Sequence, residues 1–180
     1  MFLGIEIGGT KLQLGIGRGD GTPLVQLERR AVDPTHGSAG IRSHIQQVVP
    51  DLLKRFPVSG IAYGFGGPVD RQAGRITTSH QIDGWDDFPL VDWTQQTFDK
   101  PCLLHNDCDA ATIAEARLGA GLAARLVYFV TVGTGVGGGL AIDGQLHAAH
   151  RPAVAEIGHL RPGLAATDPS DTVESLASGW

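Results

Sequence analysis

Two glycine-rich turns and one Asn-Asp pair carry residue types that can perform phosphoryl transfer. Glu6-Ile-Gly-Gly-Thr-Lys11 comes near the start, Asn106-Asp107 in the middle and Gly133-Thr-Gly-Val-Gly-Gly-Gly139 further on. Because glycine lacks a Cβ atom, backbone N–H groups in such turns can approach a phosphate closely. A carboxylate between two phosphate turns can accept the proton of an attacking hydroxyl. The three segments together predict a phosphoryl-transfer site.

Asp107 is the candidate general base of this site. It would take the proton of an alcohol as that oxygen attacks the terminal phosphate in line. The alternative is structural, since Asn106 and Asp107 are both favoured as helix N-caps. The presence of two phosphate turns in the same chain favours the catalytic interpretation.

The two turns would bind phosphate through their backbone, with Mg²⁺ bridging the phosphate oxygens. Either turn alone is more typical of an ordinary hairpin. Gly138 and Gly139 are expected to permit close strand packing rather than to touch a ligand. The predicted phosphate-binding residues are Gly8, Gly9, Thr10 and Lys11 in the first turn, and Gly133, Thr134 and Gly135 in the second.

Apolar patterning predicts the elements that position the first turn. Residues 2–7 and 12–16 read as a hairpin around it, and residues 24–31 as a third strand. Residues 38–56 have apolar positions at three-and-four spacing, which predicts an amphipathic helix. Further along, the pattern predicts a buried strand at 58–65, a short strand at 75–78, a helix at 89–98 and a strand at 102–105.

The second half repeats this layout without repeating the sequence. Residues 107–118 predict a helix with Ala110, Ala111, Ala114 and Leu118 on one side. Strands at 126–132 and 136–142 flank the second turn, and a short strand follows at 145–147. A final helix is expected from Val173 to the last residue, Trp180. The arrangement indicates two related lobes.

Composition excludes several classes of function. The net charge of −5 gives no attraction to nucleic acid or to an anionic membrane. No apolar run approaches the length of a membrane helix, and no export signal is present, so we expect a cytoplasmic protein. Cys102 and Cys108 match neither a disulfide framework nor a zinc spacing, so we expect free thiols.

Six motifs in one order resemble the signature of the ROK family, which groups bacterial sugar kinases and sugar-responsive repressors. The resemblance covers essentially the whole chain, but only about the first half of a family member. The motifs are Glu6-Ile-Gly-Gly-Thr-Lys11, Gly64-Phe-Gly-Gly-Pro-Val-Asp70, Gly84-Trp85, Asn106-Asp107, Gly133-Thr-Gly-Val-Gly-Gly-Gly139 and Glu156-Ile-Gly-His159.

The resemblance implies an α/β protein with the actin-like ATPase (ribonuclease H-like) fold, a mixed sheet flanked by helices. Residues 1–107 would form a complete small lobe, and residues 108–180 the start of a truncated large lobe. It also implies a glucokinase-like enzyme that phosphorylates the primary hydroxyl of a hexose with ATP and Mg²⁺. By resemblance, the sugar-binding residues are Gly66, Gly67, Gln81, Asn106, Asp107, Glu156 and His159.

The chain departs from the family pattern at informative positions. Glu6 replaces the usual Asp of the first phosphate motif, and its longer side chain would reach Mg²⁺ through water. Gln81 stands near the usual sugar-binding Asn and offers the same amide with more reach. Asp109 replaces a usual second Asn. The segment 160–173 lacks the cysteines of the family's zinc loop, so no zinc site is predicted.

Two other functions are compatible with the same motifs. A non-catalytic sugar-binding protein is favoured by Glu6 and by the missing nucleotide lobe. A sugar-responsive regulator is disfavoured, because the phosphate hairpin starts at residue 2 with no helix-turn-helix ahead of it. We expect small-molecule partners, a sugar and ATP. The open strand edge of the second lobe favours a homodimer or aggregation.

Overall fold

The computed structural model describes residues 1–79, 81–147, 155–163, 168 and 170–179. The chain forms two compact units, Met1–Asp107 (unit 1) and Cys108–Trp180 (unit 2). None of the helices in the described ranges is long and apolar enough to cross a membrane.

Unit 1 is built on a five-stranded mixed sheet of order β3-β2-β1-β4-β7. The three N-terminal strands pair antiparallel, while β4 and β7 run parallel to β1. Parallel strands end at the same edge, so the segments after β1, β4 and β7 lie together there. The strands are β1 Phe2–Ile7, β2 Lys11–Gly17, β3 Gln26–Ala31, β4 Gly60–Phe65 and β7 Cys102–Asn106.

Helices α1 (Gly37–Arg55) and α2 (Leu90–Phe98) contribute to the core of this sheet. The two-residue alternation of β1 buries Leu3, Ile5 and Ile7 and leaves Glu6 on the opposite face. The buried side chains of α1 are Ser38, Ile41, Ile45, Val49 and Leu52, which confirms the predicted amphipathic helix.

The segment between β4 and α2 closes over the core. It contains a small hairpin, β5 Val69–Asp70 and β6 Arg75–Ile76. Trp85 follows, fully buried, with its ring 5.7 Å from that of Phe65 in an edge-to-face contact. Trp85 is therefore a core residue.

Unit 2 has a three-stranded antiparallel sheet of order β10-β9-β8 beside helix α3. Its elements are α3 Asp107–Leu118, β8 Leu126–Val132, β9 Val136–Ile142, β10 Gln145–Leu146, a 3₁₀ turn Ile157–His159 and α4 Val173–Ala177. Each unit therefore contains an antiparallel hairpin around a glycine turn, as the predicted repeat of layout requires.

The predicted face of α3 was wrong. The buried side chains are Cys108, Thr112 and Ala116, whereas Leu118 is 50% exposed. A Cβ atom on Gly137 would lie 2.5 Å from Cys108 Sγ, and one on Gly139 would overlap Thr112 Oγ1. The glycines of β9 therefore let α3 pack closely through its small side chains, in agreement with the expected role of Gly139.

The last helix is shorter than predicted. Thr172 and Ser175 form a capping box at its start, and Ser178 is already extended. The helix therefore ends at Ala177, and Trp180 lies outside the described residues.

Candidate functional site

The first glycine turn joins β1 to β2. Gly8 N donates to Lys11 O (3.0 Å) and Val32 N donates to Thr10 O (3.0 Å), so both ends of the turn are fixed. A Cβ atom on Gly9 would overlap the side-chain oxygen of Gln81. The amide of Gln81 therefore lies directly against the backbone at position 9, and any larger residue there would have to displace it.

Glu6 lies on the sheet face opposite the core and is held by its neighbours. Gln13 Nε2 donates to Glu6 Oε2 (2.6 Å), and Arg29 Nε donates to Gln13 Oε1 (2.8 Å). Lys11 Nζ is 4.0 Å from Glu6 Oε1. Residues 6, 13 and 29 are cross-strand partners in register, which explains why this row forms.

The predicted sugar-pocket wall and the candidate base are in contact. A Cβ atom on Gly66 would lie 3.4 Å from Asp107 Oδ2 and 3.4 Å from Ile7 O, beside the first turn. Asn106 Nδ2 donates to Gly67 O (3.1 Å) and to Phe65 O (3.3 Å). Asn106 therefore fixes the wall through its amide nitrogen, and Asp107, half-buried at the start of α3, lies next to it.

A small cleft, with room for about one water molecule, opens over the first turn. Its walls come from the turn, the Gly66 segment and the loop before α2, and its floor includes the buried Trp85. The cleft is far smaller than typical ligand pockets, and its free space would admit only a water-sized group. The lining residues are Ile7, Gly8, Gly9, Phe65, Gly66, Ser79, Gln81, Ile82 and Trp85.

His105, which the sequence did not single out, immediately precedes the Asn106-Asp107 pair. Burial, with a smaller contribution from the positive charge of Arg71, lowers the pKa of His105 to about 4. Its Nδ1 atom is buried and has no hydrogen-bond partner among the described residues. Beside Asp107, His105 is therefore a neutral group at physiological pH.

The second glycine turn lies in unit 2. Gly133 N donates to Gly135 O (2.8 Å), and a Cβ atom on Gly133 would meet no described atom within 4 Å. The turn is also held by a residue that the sequence did not predict, because Val136 N donates to Glu174 Oε2 (2.7 Å). A contact between a backbone N–H and a carboxylate 38 residues away leaves no local signal in the sequence.

Glu156 and His159 are also in unit 2, at the two ends of a single turn. His159 N donates to Glu156 O (3.1 Å), and both side chains are exposed. Their spacing of three matches the turn, although Glu156 precedes the 3₁₀ segment rather than lying within a helix.

The structure thus gathers the predicted residues into two groups. In unit 1, Gly8, Gly9, Gly66, Gln81 and Asp107 lie around the first turn. In unit 2, the second turn is linked to the Glu156–His159 segment, since a Cβ atom on Gly158 would overlap Val136 O. Across the described ranges, no group of three His, Cys, Asp or Glu residues could hold a metal ion.

Comparison with known proteins identifies the family. The sequence profile of the ROK family matches residues 2–173. The chain belongs to the ROK family. Its mixed sheet with flanking helices is that of the actin-like ATPase fold found in ROK sugar kinases.

Individual ROK relatives are sugar kinases. A glucokinase of Streptomyces coelicolor is 31% identical over 89% of the chain. A Streptomyces griseus ROK family glucokinase, solved with glucose and AMPPNP, is 32% identical over 90% of the chain, with a TM-score of 0.78. An inorganic polyphosphate/ATP-glucomannokinase from Arthrobacter is 30% identical over 99% of the chain, with a TM-score of 0.77.

The 180 residues correspond to only part of each relative. They span 50% of the S. coelicolor glucokinase, 51% of the S. griseus chain and 68% of the Arthrobacter chain.

Proposed function

We propose that this chain carries the sugar-binding and phosphate-binding half of an ATP-dependent hexose kinase that phosphorylates the sugar's primary hydroxyl. The observation that carries the proposal is the position of Gly66. It adjoins both the first glycine turn and Asp107 Oδ2, so the turn and this carboxylate lie on one wall. The sugar kinases among the relatives support the same reaction class.

In this proposal, Asp107 accepts the proton of the attacking hydroxyl. Asn106 keeps the Phe65–Gly67 segment in place by its two amide hydrogen bonds and would contribute to sugar binding. Gln81 would contact both the sugar and the first turn. Glu156 and His159 would bind further hydroxyls, and the turns at 8–11 and 133–135 would bind the phosphates. Unit 1 would be the small lobe, and unit 2 the beginning of the large lobe.

In this proposal, Mg²⁺ would have to be held in an outer-sphere role. Gln13 Nε2 donates a hydrogen bond to Glu6 Oε2. The other oxygen, Glu6 Oε1, is 4.0 Å from Lys11 Nζ, a distance that a water molecule can bridge. Glu6 would hold the ion through water, as Mg²⁺ commonly retains part of its hydration shell. When bound, the ion would neutralise charge on the phosphate oxygens.

The test is a coupled kinase assay of the 180-residue chain and of any longer protein that contains it. Glucose, mannose and N-acetylated amino sugars should be tried with ATP and with inorganic polyphosphate, because one relative uses both donors. Asp107→Asn should lower turnover at least about a hundredfold, since a positioned base contributes that much.

Asp99→Asn is the matched control. Asp99 is a left-handed residue at the end of α2, where asparagine is well tolerated, and it is not among the cleft-lining residues. Its turnover should equal that of the unmodified chain. Full turnover in Asp107→Asn would remove Asp107 as the base.

A non-catalytic sugar-binding protein is the second candidate. The engagement of Glu6 by Gln13 favours it, because a carboxylate already hydrogen-bonded is less available to a metal. Calorimetry separates the two candidates: glucose binding by every form of the protein, with no turnover of any donor, would support this one.

A further inference from the structure

A carboxylate from the C-terminal helix holds the second glycine turn. Glu174 Oε2 accepts a hydrogen bond from Val136 N at 2.7 Å, directly after the turn. The same oxygen lies 2.8 Å from the position that a Cβ atom on Gly135 would take. The glycine at 135 thus makes room for a charge-assisted hydrogen bond, which is stronger than one between neutral groups.

The other end of the turn is held by the same segment. Gly179 N donates to Gly133 O at 2.7 Å. Residues 174–179 therefore form hydrogen bonds with both ends of the turn. Within the described part of unit 2, the N–H groups of Thr134 and Gly135 have no hydrogen-bond partner. These two donors in the middle of the turn are therefore available to a ligand.

Glu174 also contacts the segment that carries the predicted sugar ligands. Its Cβ atom is 3.4 Å from the position of a Cβ atom on Gly158, which lies between Glu156 and His159. Val173 N donates to Leu160 O at 2.8 Å and anchors the start of α4 beside the same 3₁₀ turn. Glu174 therefore packs between the phosphate turn and the Glu156–His159 segment.

We propose that Glu174 is a positioning residue that fixes the second phosphate turn in its anion-binding shape and joins that turn to the Glu156–His159 segment. This inference rests on the proposed function, because it takes the turn to bind phosphate. It assigns the carboxylate the role of a hydrogen-bond acceptor at the edge of the turn. The alternative role is that the carboxylate occupies the phosphate position and repels the ligand. In that case, removal of the carboxylate would strengthen phosphate binding instead of weakening it.

Calorimetric titration of the 180-residue chain with AMPPNP and with inorganic tripolyphosphate, each with Mg²⁺, tests the inference. Glu174→Ala removes the acceptor and should weaken phosphate binding about tenfold, the scale of a hydrogen bond to a charged group. Glu174→Gln retains an acceptor oxygen at the same reach and should stay within about threefold of the unmodified chain. Rescue by glutamine separates positioning from charge repulsion.

Glu115→Ala is the matched control. Glu115 belongs to the same unit and also accepts a backbone hydrogen bond next to a glycine, from Ala120 N at 2.9 Å, but it does not contact the second turn. Its phosphate affinity should equal that of the unmodified chain. Amide exchange at Val136, followed by NMR, should speed up in Glu174→Ala and not in Glu115→Ala.

Glu174→Asp is a second variant that tests the same inference if helix α4 unfolds in Glu174→Ala. Aspartate retains the charge but is one methylene shorter, so it does not reach Val136 N and should bind phosphate about fivefold more weakly. Unchanged or tighter binding in both Glu174→Ala and Glu174→Asp overturns the inference and leaves the proposed function standing. Absence of any phosphate binding, both by the unmodified chain and by any longer protein that contains it, overturns both.

Discussion

The two glycine turns are held by side chains of different charge. In unit 1 the neutral amide of Gln81 lies against Gly9, beside a cleft with a buried tryptophan floor. In unit 2 the carboxylate of Glu174 binds the backbone after Gly135. A neutral amide does not repel an anion that binds to the turn. A carboxylate does repel it, so Glu174 must lie at the edge of the turn rather than at the anion position. The comparison indicates that the second turn is the more sensitive to charge.

The supports of the two turns also differ in packing. The first turn extends from a five-stranded sheet whose apolar face is fully covered. The second extends from β8, an edge strand with an exposed apolar row: Leu126 (60%), Tyr128 (43%), Val130 (42%) and Val132 (61%). An apolar row of this kind is typical of a surface that other protein covers. Unit 1 therefore contains its own core, whereas in unit 2 helix α3 packs closely on the glycines of β9.

The largest expected effect compares the same substitution in the two sheets. Leu14→Ala removes a fully buried side chain of β2 and should cost about 3 kcal/mol, including the cavity that it leaves. Leu126→Ala, on the exposed face of β8, should cost less than about 1 kcal/mol. Urea unfolding followed by tryptophan fluorescence, with Trp180 replaced by phenylalanine in every variant, reports unit 1 through Trp85 and Trp93. Hydrogen exchange of β8 and β9 reports unit 2. Equal losses would show that Leu126 is covered in solution.

Much of unit 1 could be predicted because its signals are local. The alternation of β1 and the three-and-four spacing of α1 identify buried faces directly, and the glycines at 8 and 9 mark a turn. The cleft follows from topology, because the parallel strands β1, β4 and β7 end at one edge. What local patterns do not reveal is that Gln81 lies on Gly9, since the loop between them has no periodicity.

Unit 2 was harder to predict for a physical reason. The face of α3 was misassigned because the helix packs through Cys108, Thr112 and Ala116. The predicted face consisted of Ala110, Ala111, Ala114 and Leu118. The buried face of a helix usually carries large apolar side chains. A glycine-rich strand lets the helix come so close that small side chains are buried instead. Glu174 was not predicted for a related reason. Its partner is the backbone N–H of Val136, and every residue type except proline has such a group, so the contact leaves no signal in the sequence.

The second prediction tests the glycine packing of unit 2. A Cβ atom on Gly139 would overlap Thr112 Oγ1 and lie 3.2 Å from Cys108 O, so Gly139→Ala should cost about 2 kcal/mol. In unit 1, a Cβ atom on Gly4 would meet only Gly15 O, at 3.9 Å. Gly4→Ala should be neutral or stabilise by about 0.5 kcal/mol, because alanine restricts the unfolded chain. Denaturant midpoints measure both. A neutral Gly139→Ala would disprove close packing of α3.

The third prediction concerns pH and is smaller, because His105 is only partly buried. Its pKa is lowered to about 4, mainly by burial, so between pH 6.5 and 4 the unfolded chain binds a proton that the folded chain does not. Stability should therefore be complete above pH 6.5 and fall as the pH drops toward 4.

His105→Gln should flatten this part of the pH profile of the free energy of unfolding. His159→Gln, at an exposed position in unit 2, should leave the slope unchanged. An unaltered slope in His105→Gln would place the responsible group elsewhere.

The smallest expected effect compares two surface ion pairs. In unit 1, Arg75 donates to both carboxylate oxygens of Asp87, at 2.7 and 3.0 Å, and to Asp87 O at 2.7 Å. In unit 2, Arg125 Nε is 3.5 Å from Asp143 Oδ1, and their side chains are 84% and 67% exposed. Because bidentate geometry is the main condition under which exposed pairs contribute, Arg75→Met should cost about 1 kcal/mol and Arg125→Met less than about 0.3 kcal/mol. Urea unfolding in low and high salt measures both. A cost for Arg75→Met that high salt leaves unchanged would attribute it to the hydrogen bond with Asp87 O rather than to charge.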